Sequence, residues 1–162
     1  MNLIFLDFDG VLNDPYWLVN WWPLRREHTK FEFDLSRLEM LHRICDSTGA
    51  KLVLSSAWNF REGVKEYFEE NGFEVVGRLG AHFDRGQTIK KWFSEHPEYK
   101  TANYAILDDE KSQYDEEQLK HLVFTGTYVI KGWTEDNLYL APRHIGLDAY
   151  SIEEALKILE RQ

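Results

Sequence analysis

The sequence predicts an α/β fold built on a parallel sheet, and three observations carry that reading. Short apolar runs at Leu3–Leu6, Lys51–Leu54 and Tyr104–Leu107 contain no Gly or Pro. They have the character of strands buried on both faces, as in the middle of a parallel sheet. Segments whose apolar residues recur at helical spacing lie between them. Each strand-like run ends in polar groups: Asp7 and Asp9, Ser55 and Ser56, Asp108 and Asp109.

The first run leads directly into Asp7-Phe8-Asp9-Gly10. In extended chain, residues i and i+2 point the same way, so Asp7 and Asp9 share one side of the strand's carboxyl end. Gly10 then allows a sharp turn. Open parallel sheets place their active sites at that edge. Two carboxylates so close repel each other unless one is protonated or a cation lies between them. Oxygen ligands without Cys or His favour Mg2+ over Zn2+. The same acids could also simply begin a polar loop.

The stretch 13–33 follows, with Tyr16, Trp17, Trp21 and Trp22 between Pro15 and Pro23 and no clear period. It reads as a flap beside the site. Its aromatic rings could stack on a base or sugar, pack as a lid, or meet a partner. From Asp34, a candidate N-cap, Leu35, Leu38, Leu41, Ile44 and Cys45 define an amphipathic helix that Gly49 stops. The second strand follows, ending at Ser55-Ser56. Trp58 to Arg61 leads into a second helix ending near Asn71-Gly72, and residues 74–79 form a weaker strand. A third helix starts at Arg85, with Ile89, Trp92 and Phe93 on its inner face. After the strand ending at Asp108-Asp109, Leu122–Phe124 is a fifth strand. Residues 126–146 read as a hairpin-like arm. A helix over Asp148–Leu159 closes the fold, with Ser151 and Glu154 spaced as a capping box. No pair among the six His has metal-ligand spacing.

These motifs, in this order, resemble those of the haloacid dehalogenase (HAD) superfamily of phosphohydrolases over residues 3 to about 125. The resemblance implies a doubly wound parallel sheet of order 5-4-1-2-3 without a separate cap domain. It makes Asp7 the nucleophile and Asp9 the general acid and base. Ser55, with Ser56 beside it, would bind phosphate. Arg85 would be the basic residue and Lys90 the alternative, although the superfamily usually has Lys there and the two are not interchangeable. Mg2+ would be held by Asp7, the main-chain carbonyl of Asp9, and Asp108 or Asp109. Asp9 itself points to phosphate ester hydrolysis, since the dehalogenase and ion-pump branches carry something else there. The run Val53-Leu54-Ser55-Ser56-Ala57-Trp58 further resembles small phosphatase-like domains associated with RNA repair, which usually have Arg where this chain has Asn59. The implied substrate is a nucleotide, a polynucleotide end, a sugar phosphate or a phosphoprotein. A fold that binds or recruits a partner without turnover is the other reading.

Composition sets the outer bounds. A chain of 162 residues, 43% hydrophobic and 29% charged, suits one globular domain. The first apolar run is too short for a membrane span and lacks the features of a signal peptide. A lone cysteine, Cys45, suits a reducing compartment, so a cytoplasmic location without membrane attachment is expected. A net charge of −9 disfavours non-specific nucleic-acid binding.

Overall fold

A computed structural model of the chain describes residues 1–13, 33–80, 84–126 and 146–160. The flap expected over 13–33, with Tyr16, Trp17, Trp21 and Trp22, falls outside the described residues except at its two ends. The same holds for the arm expected over 126–146, and His82 and His144 are likewise outside.

The described elements are β1 (Asn2–Leu6), α1 (Leu35–Thr48), β2 (Lys51–Leu54), a 3-10 helix (Ala57–Phe60), α2 (Val64–Glu70), β3 (Val75–Arg78) and α3 (Arg85–Glu95). A second 3-10 helix (Pro97–Tyr99), β4 (Asn103–Asp108), α4 (Glu116–Leu119), β5 (Leu122–Phe124) and α5 (Ala149–Leu159) complete the set. The strands form one sheet of order β3-β2-β1-β4-β5, every neighbouring pair parallel. This is the expected order read from the opposite edge. β1 is central because it is apolar throughout its buried length and pairs on both sides, Leu6 aligning with Leu54 of β2 and Leu107 of β4.

Strand alternation divides the core into two layers. Ile4, Leu6 and Phe8 pack with Leu38, Leu41 and Ile44 of α1, Val64 and Phe68 of α2, and Ile152, Ala155 and Ile158 of α5. Leu3 and Phe5 pack on the other face with Ile89 and Trp92 of α3. Phe5 meets the rings of Trp92, Phe93 and Tyr104 edge-on at centroid distances of 5.6, 5.5 and 5.7 Å. Full burial of such a side chain is worth about 1.5–3 kcal/mol, and each edge contact adds about 0.5–1.5 kcal/mol.

The helix starts follow capping chemistry. Asp34 accepts from the Ser36 N–H at 2.9 Å, and Gly49 closes α1 in the left-handed conformation at φ 64°. Asp84 accepts from the Gln87 N–H at 2.9 Å at the start of α3. The capping box expected at Ser151 and Glu154 is a correction. The cap of α5 is Asp148, whose carboxylate accepts from both the N–H and the hydroxyl of Ser151 at 2.8 Å. A carboxylate already stands at the N-cap, so Ser151 lies inside the first turn. Among the described residues no helix is long and apolar enough to cross a membrane.

Candidate active site

The site gathers where β1, β2 and β4 end. Parallel pairing continues one residue past β1 on both sides: the Asp7 N–H donates to Leu107 O at 3.0 Å, and the Ser55 N–H donates to Leu6 O at 2.9 Å. Main-chain bonds therefore fix Asp7 between Asp108 and Ser55 before any side chain acts. Asp7 continues the parity of Leu3 and Phe5, and so belongs to the side of the sheet that carries α3. Arg85, the first residue of α3, donates from Nη1 to Asp7 Oδ2 at 2.8 Å and from the same nitrogen to Asp108 Oδ2.

Gly10 makes the next turn. Its φ is 78°, and a Cβ there would lie 2.2 Å from Asp109 Oδ2, so both backbone conformation and close approach require glycine. The N–H groups of Val11, Leu12 and Asn13 all donate to Phe8 O at 3.1, 2.8 and 3.0 Å, winding the chain tightly behind Asp9. The Thr125 hydroxyl at the end of β5 donates to Gly10 O at 2.7 Å.

Asp7, Asp108 and Asp109 each offer a carboxylate oxygen within 4.8 Å of the others. Asp7 and Asp108 are buried, whereas Asp109 is exposed. Burial and the neighbouring Asp7 charge raise the Asp108 pKa, opposed by Arg85, the Tyr114 hydroxyl and the Glu110 N–H. Although the residue is exposed, partial desolvation of the Asp109 carboxyl, with the charges of Asp7 and Asp108, pushes it up to about 6. Burial alone would lower the Arg85 pKa, but the carboxylates of Asp7 and Asp108 outweigh it and hold the guanidinium charged. Asp9 is half-buried, and that burial, with the Asp7 charge, raises its pKa. Hydrogen bonds from Asn13 and the Trp58 side chain, and the charge of Arg61, oppose the shift. The Asn13 bond spans 3.3 Å.

The basic and hydroxyl candidates separate in the structure. Arg85 reaches Asp7, whereas Lys90 lies further along α3 in an exposed ion pair with Asp115 at 2.5 Å. Ser55 Oγ is buried without a hydrogen-bond partner among the described residues. Ser56 Oγ is engaged as the cap of the 3-10 helix, accepting from the Trp58 N–H at 3.3 Å. The Asp9 carboxylate stands outside the three-acid cluster.

Several residues of the site were not read from the sequence. Trp58 and Asn13 touch Asp9, Thr125 fixes Gly10, and Tyr114 donates to Asp108. Of these, only Asn13 and Trp58 carried a signal in their closeness to a motif.

An all-parallel five-stranded sheet of this order, with acids gathered beyond its central strand and a cation reaching them from the start of α3, is the HAD-like α/β fold of phosphohydrolase-type proteins. Residues 3–137 match the family described as the HAD domain in Swiss Army Knife RNA repair proteins, and the chain belongs to that family. No curated protein and no solved structure matches it.

Proposed function

We propose that the chain is a Mg2+-dependent phosphomonoester hydrolase that works through an aspartyl-phosphate on Asp7. The arrangement of Asp7 carries this reading: its carboxylate is fixed at the end of the central strand, held by Arg85 and flanked by two further acids. The donors fit a hard divalent ion, being carboxylate oxygens close enough to share one. Asp7, Asp109 or Asp108, and the main-chain carbonyl of Asp9 would hold Mg2+. When bound, the ion would neutralise charge on the phosphoryl oxygens.

The protein's own groups account for the remaining steps. A carboxylate oxygen of Asp7 attacks phosphorus, and the P–O bond to the leaving group breaks. The Asp9 carboxyl gives its proton to the departing oxygen. It then takes one from the water that cleaves the acyl phosphate, releasing inorganic phosphate and restoring Asp7. The Ser55 hydroxyl and the Arg85 guanidinium bind the other phosphoryl oxygens, and charge that develops there is met by donors already in place.

For the substrate we favour a phosphorylated polynucleotide end, because the family is described by RNA repair. The lone Cys45 agrees with a cytoplasmic setting. The test compares nucleotides, 3′- and 5′-phosphorylated oligonucleotides, sugar phosphates and phosphopeptides, with Mg2+ and with a chelator. Oligonucleotide ends should turn over fastest, and only with the metal. Asp7→Asn should abolish turnover while leaving the fold intact, as read by circular dichroism. Full activity in that variant would remove the mechanism. A partner-binding fold without turnover is favoured by one observation, the Arg tether on Asp7 where the superfamily usually has Lys. Tight binding of a phosphorylated end without phosphate release would select it.

A further inference from the structure

We infer that the loop between β4 and α4 is a clasp that sets the position of Arg85, with Tyr114 as its principal positioning residue. This rests on the reading of Arg85 as the phosphoryl-binding cation, while the clasp itself is a matter of geometry.

Three sets of contacts converge on the start of α3. The Arg85 N–H donates to Gln113 Oε1 at 3.3 Å, and the Gly86 N–H donates to Gln113 O at 3.2 Å. Gln118, itself buried, donates from Nε2 to Gly86 O at 2.8 Å. The Gln118 side chain is in turn fixed by α4's capping box, in which its Oε1 accepts from the Asp115 N–H at 3.3 Å and its N–H donates to Asp115 Oδ1 at 2.9 Å. Two successive residues of α3 are thus bound through main-chain groups to one short loop.

The same loop also holds the guanidinium's far anchor. The buried Tyr114 hydroxyl donates to Asp108 Oδ2 at 2.6 Å, the oxygen that also accepts from Arg85. Asp108 Oδ1 accepts from the Glu110 N–H at 2.8 Å. Both oxygens of a fully buried carboxylate are therefore occupied by donors, which fixes its plane. Arg85 binds a stationary acceptor and is held over Asp7. Without the Tyr114 proton, the Asp108 carboxylate would lose one of the donors that fix its plane, and the guanidinium would lose its stationary acceptor.

Gly86 provides a second, independent handle. A Cβ at that position would lie 2.5 Å from both Gln113 O and Gln118 Oε1, so the clasp closes only over a residue without a side chain. Gly86→Ala would force the loop from α3 by steric overlap, and Tyr114→Phe would remove only an oxygen.

The experiment follows the guanidinium signals of nitrogen-labelled arginine in the metal-free protein by NMR, with Arg85 identified by the resonance that disappears in Arg85→Lys. Arg85 should give a slowly rotating guanidinium in the parent, and that signal should broaden or vanish in Tyr114→Phe and in Gly86→Ala. With Mg2+ and a phosphate ester, kcat in both variants should fall roughly tenfold to a hundredfold. KM should move far less, because the loss concerns the transition state more than binding. An unchanged Arg85 signal together with unchanged kcat in Tyr114→Phe would overturn the clasp. Should that variant fail to fold, Gly86→Ala decides by the same two readouts. A parent that hydrolyses no ester, with the Arg85 signal still lost in the variants, would sink the hydrolase reading and leave the clasp standing.

Discussion

The loops after β1 and β4 both leave the sheet at an acid, yet they are held in opposite ways. Behind Asp9 the chain is tied mainly through its own backbone: three N–H groups converge on Phe8 O, the Gly10 N–H donates to Asn13 O at 2.7 Å, and the Leu147 N–H donates to Val11 O at 2.8 Å. Behind Asp108 the ties are largely side chains, those of Tyr114, Gln113 and Gln118. A backbone-tied loop depends on conformation, and so on one glycine. A side-chain-tied loop depends on particular functional groups, and so can be adjusted one atom at a time. The acids proposed to react sit on the first kind of loop, and the device proposed to place the Arg85 guanidinium sits on the second.

The contrast can be broken most severely at Arg85. Arg85→Met leaves Asp7, Asp108 and Asp109 facing one another without their cation. Removing one partner of a buried pair costs about 3–5 kcal/mol, so the metal-free variant should show a correspondingly lower urea midpoint. Mg2+ should raise its melting temperature more than it raises the parent's, because binding then supplies the only positive charge among the three acids. Equal gains would mean that Arg85 does not share the metal's electrostatic role.

Gly10→Ala tests the backbone-tied loop. The left-handed conformation and the overlap with Asp109 together should cost at least about 2 kcal/mol. Denaturant unfolding would show it, and an unchanged midpoint would mean that the turn is freer than its geometry implies. Thr125→Val keeps the volume but removes the proton donated to Gly10 O. A loss of about 1–2 kcal/mol is expected in the same measurement.

The smallest effect is in the pH dependence of the metal-free protein, measured with a chelator. Asp109 has its pKa raised to about 6 in the fold, so over the window from its ordinary value up to there the folded state holds more proton than the unfolded chain. That contribution is fully present at lower pH and is lost as pH rises through about 6. Asp109→Asn should flatten the melting profile across that window, and a variant whose profile keeps its slope would assign the dependence to other groups.

The sequence made the sheet and its polar strand ends legible because each depends on a few adjacent residues. An apolar run followed at once by Asp or Ser identifies a strand and a site together, and the helix starting at Arg85 shows itself by the spacing of Ile89 and Trp92. The clasp was not legible. Tyr114, Gln113 and Gln118 lie in a stretch without period, and their partners stand 6 to 32 residues away in the chain. Capping chemistry was recognised at α5 but put in the wrong place. Asp148 with Ser151 and Ser151 with Glu154 share one spacing, and only the path of the chain into the helix decides between them. Ser55 is the better candidate in the sequence because it comes first after the apolar run, and the Ser56 hydroxyl is spent on a helix cap.

The sidedness of β1 has a consequence for folding fidelity. Successive residues from Leu3 to Phe8 alternate between the two apolar layers, so a pairing error of a single position would exchange the partners of Asp7 and Phe8. It would press a charged group toward the aromatic cluster of Phe33 and Phe68 and turn a benzyl ring toward Arg85. The misaligned chain would thus lose stability and chemistry in one event, and the native frame is guarded by the same residue that would perform the reaction.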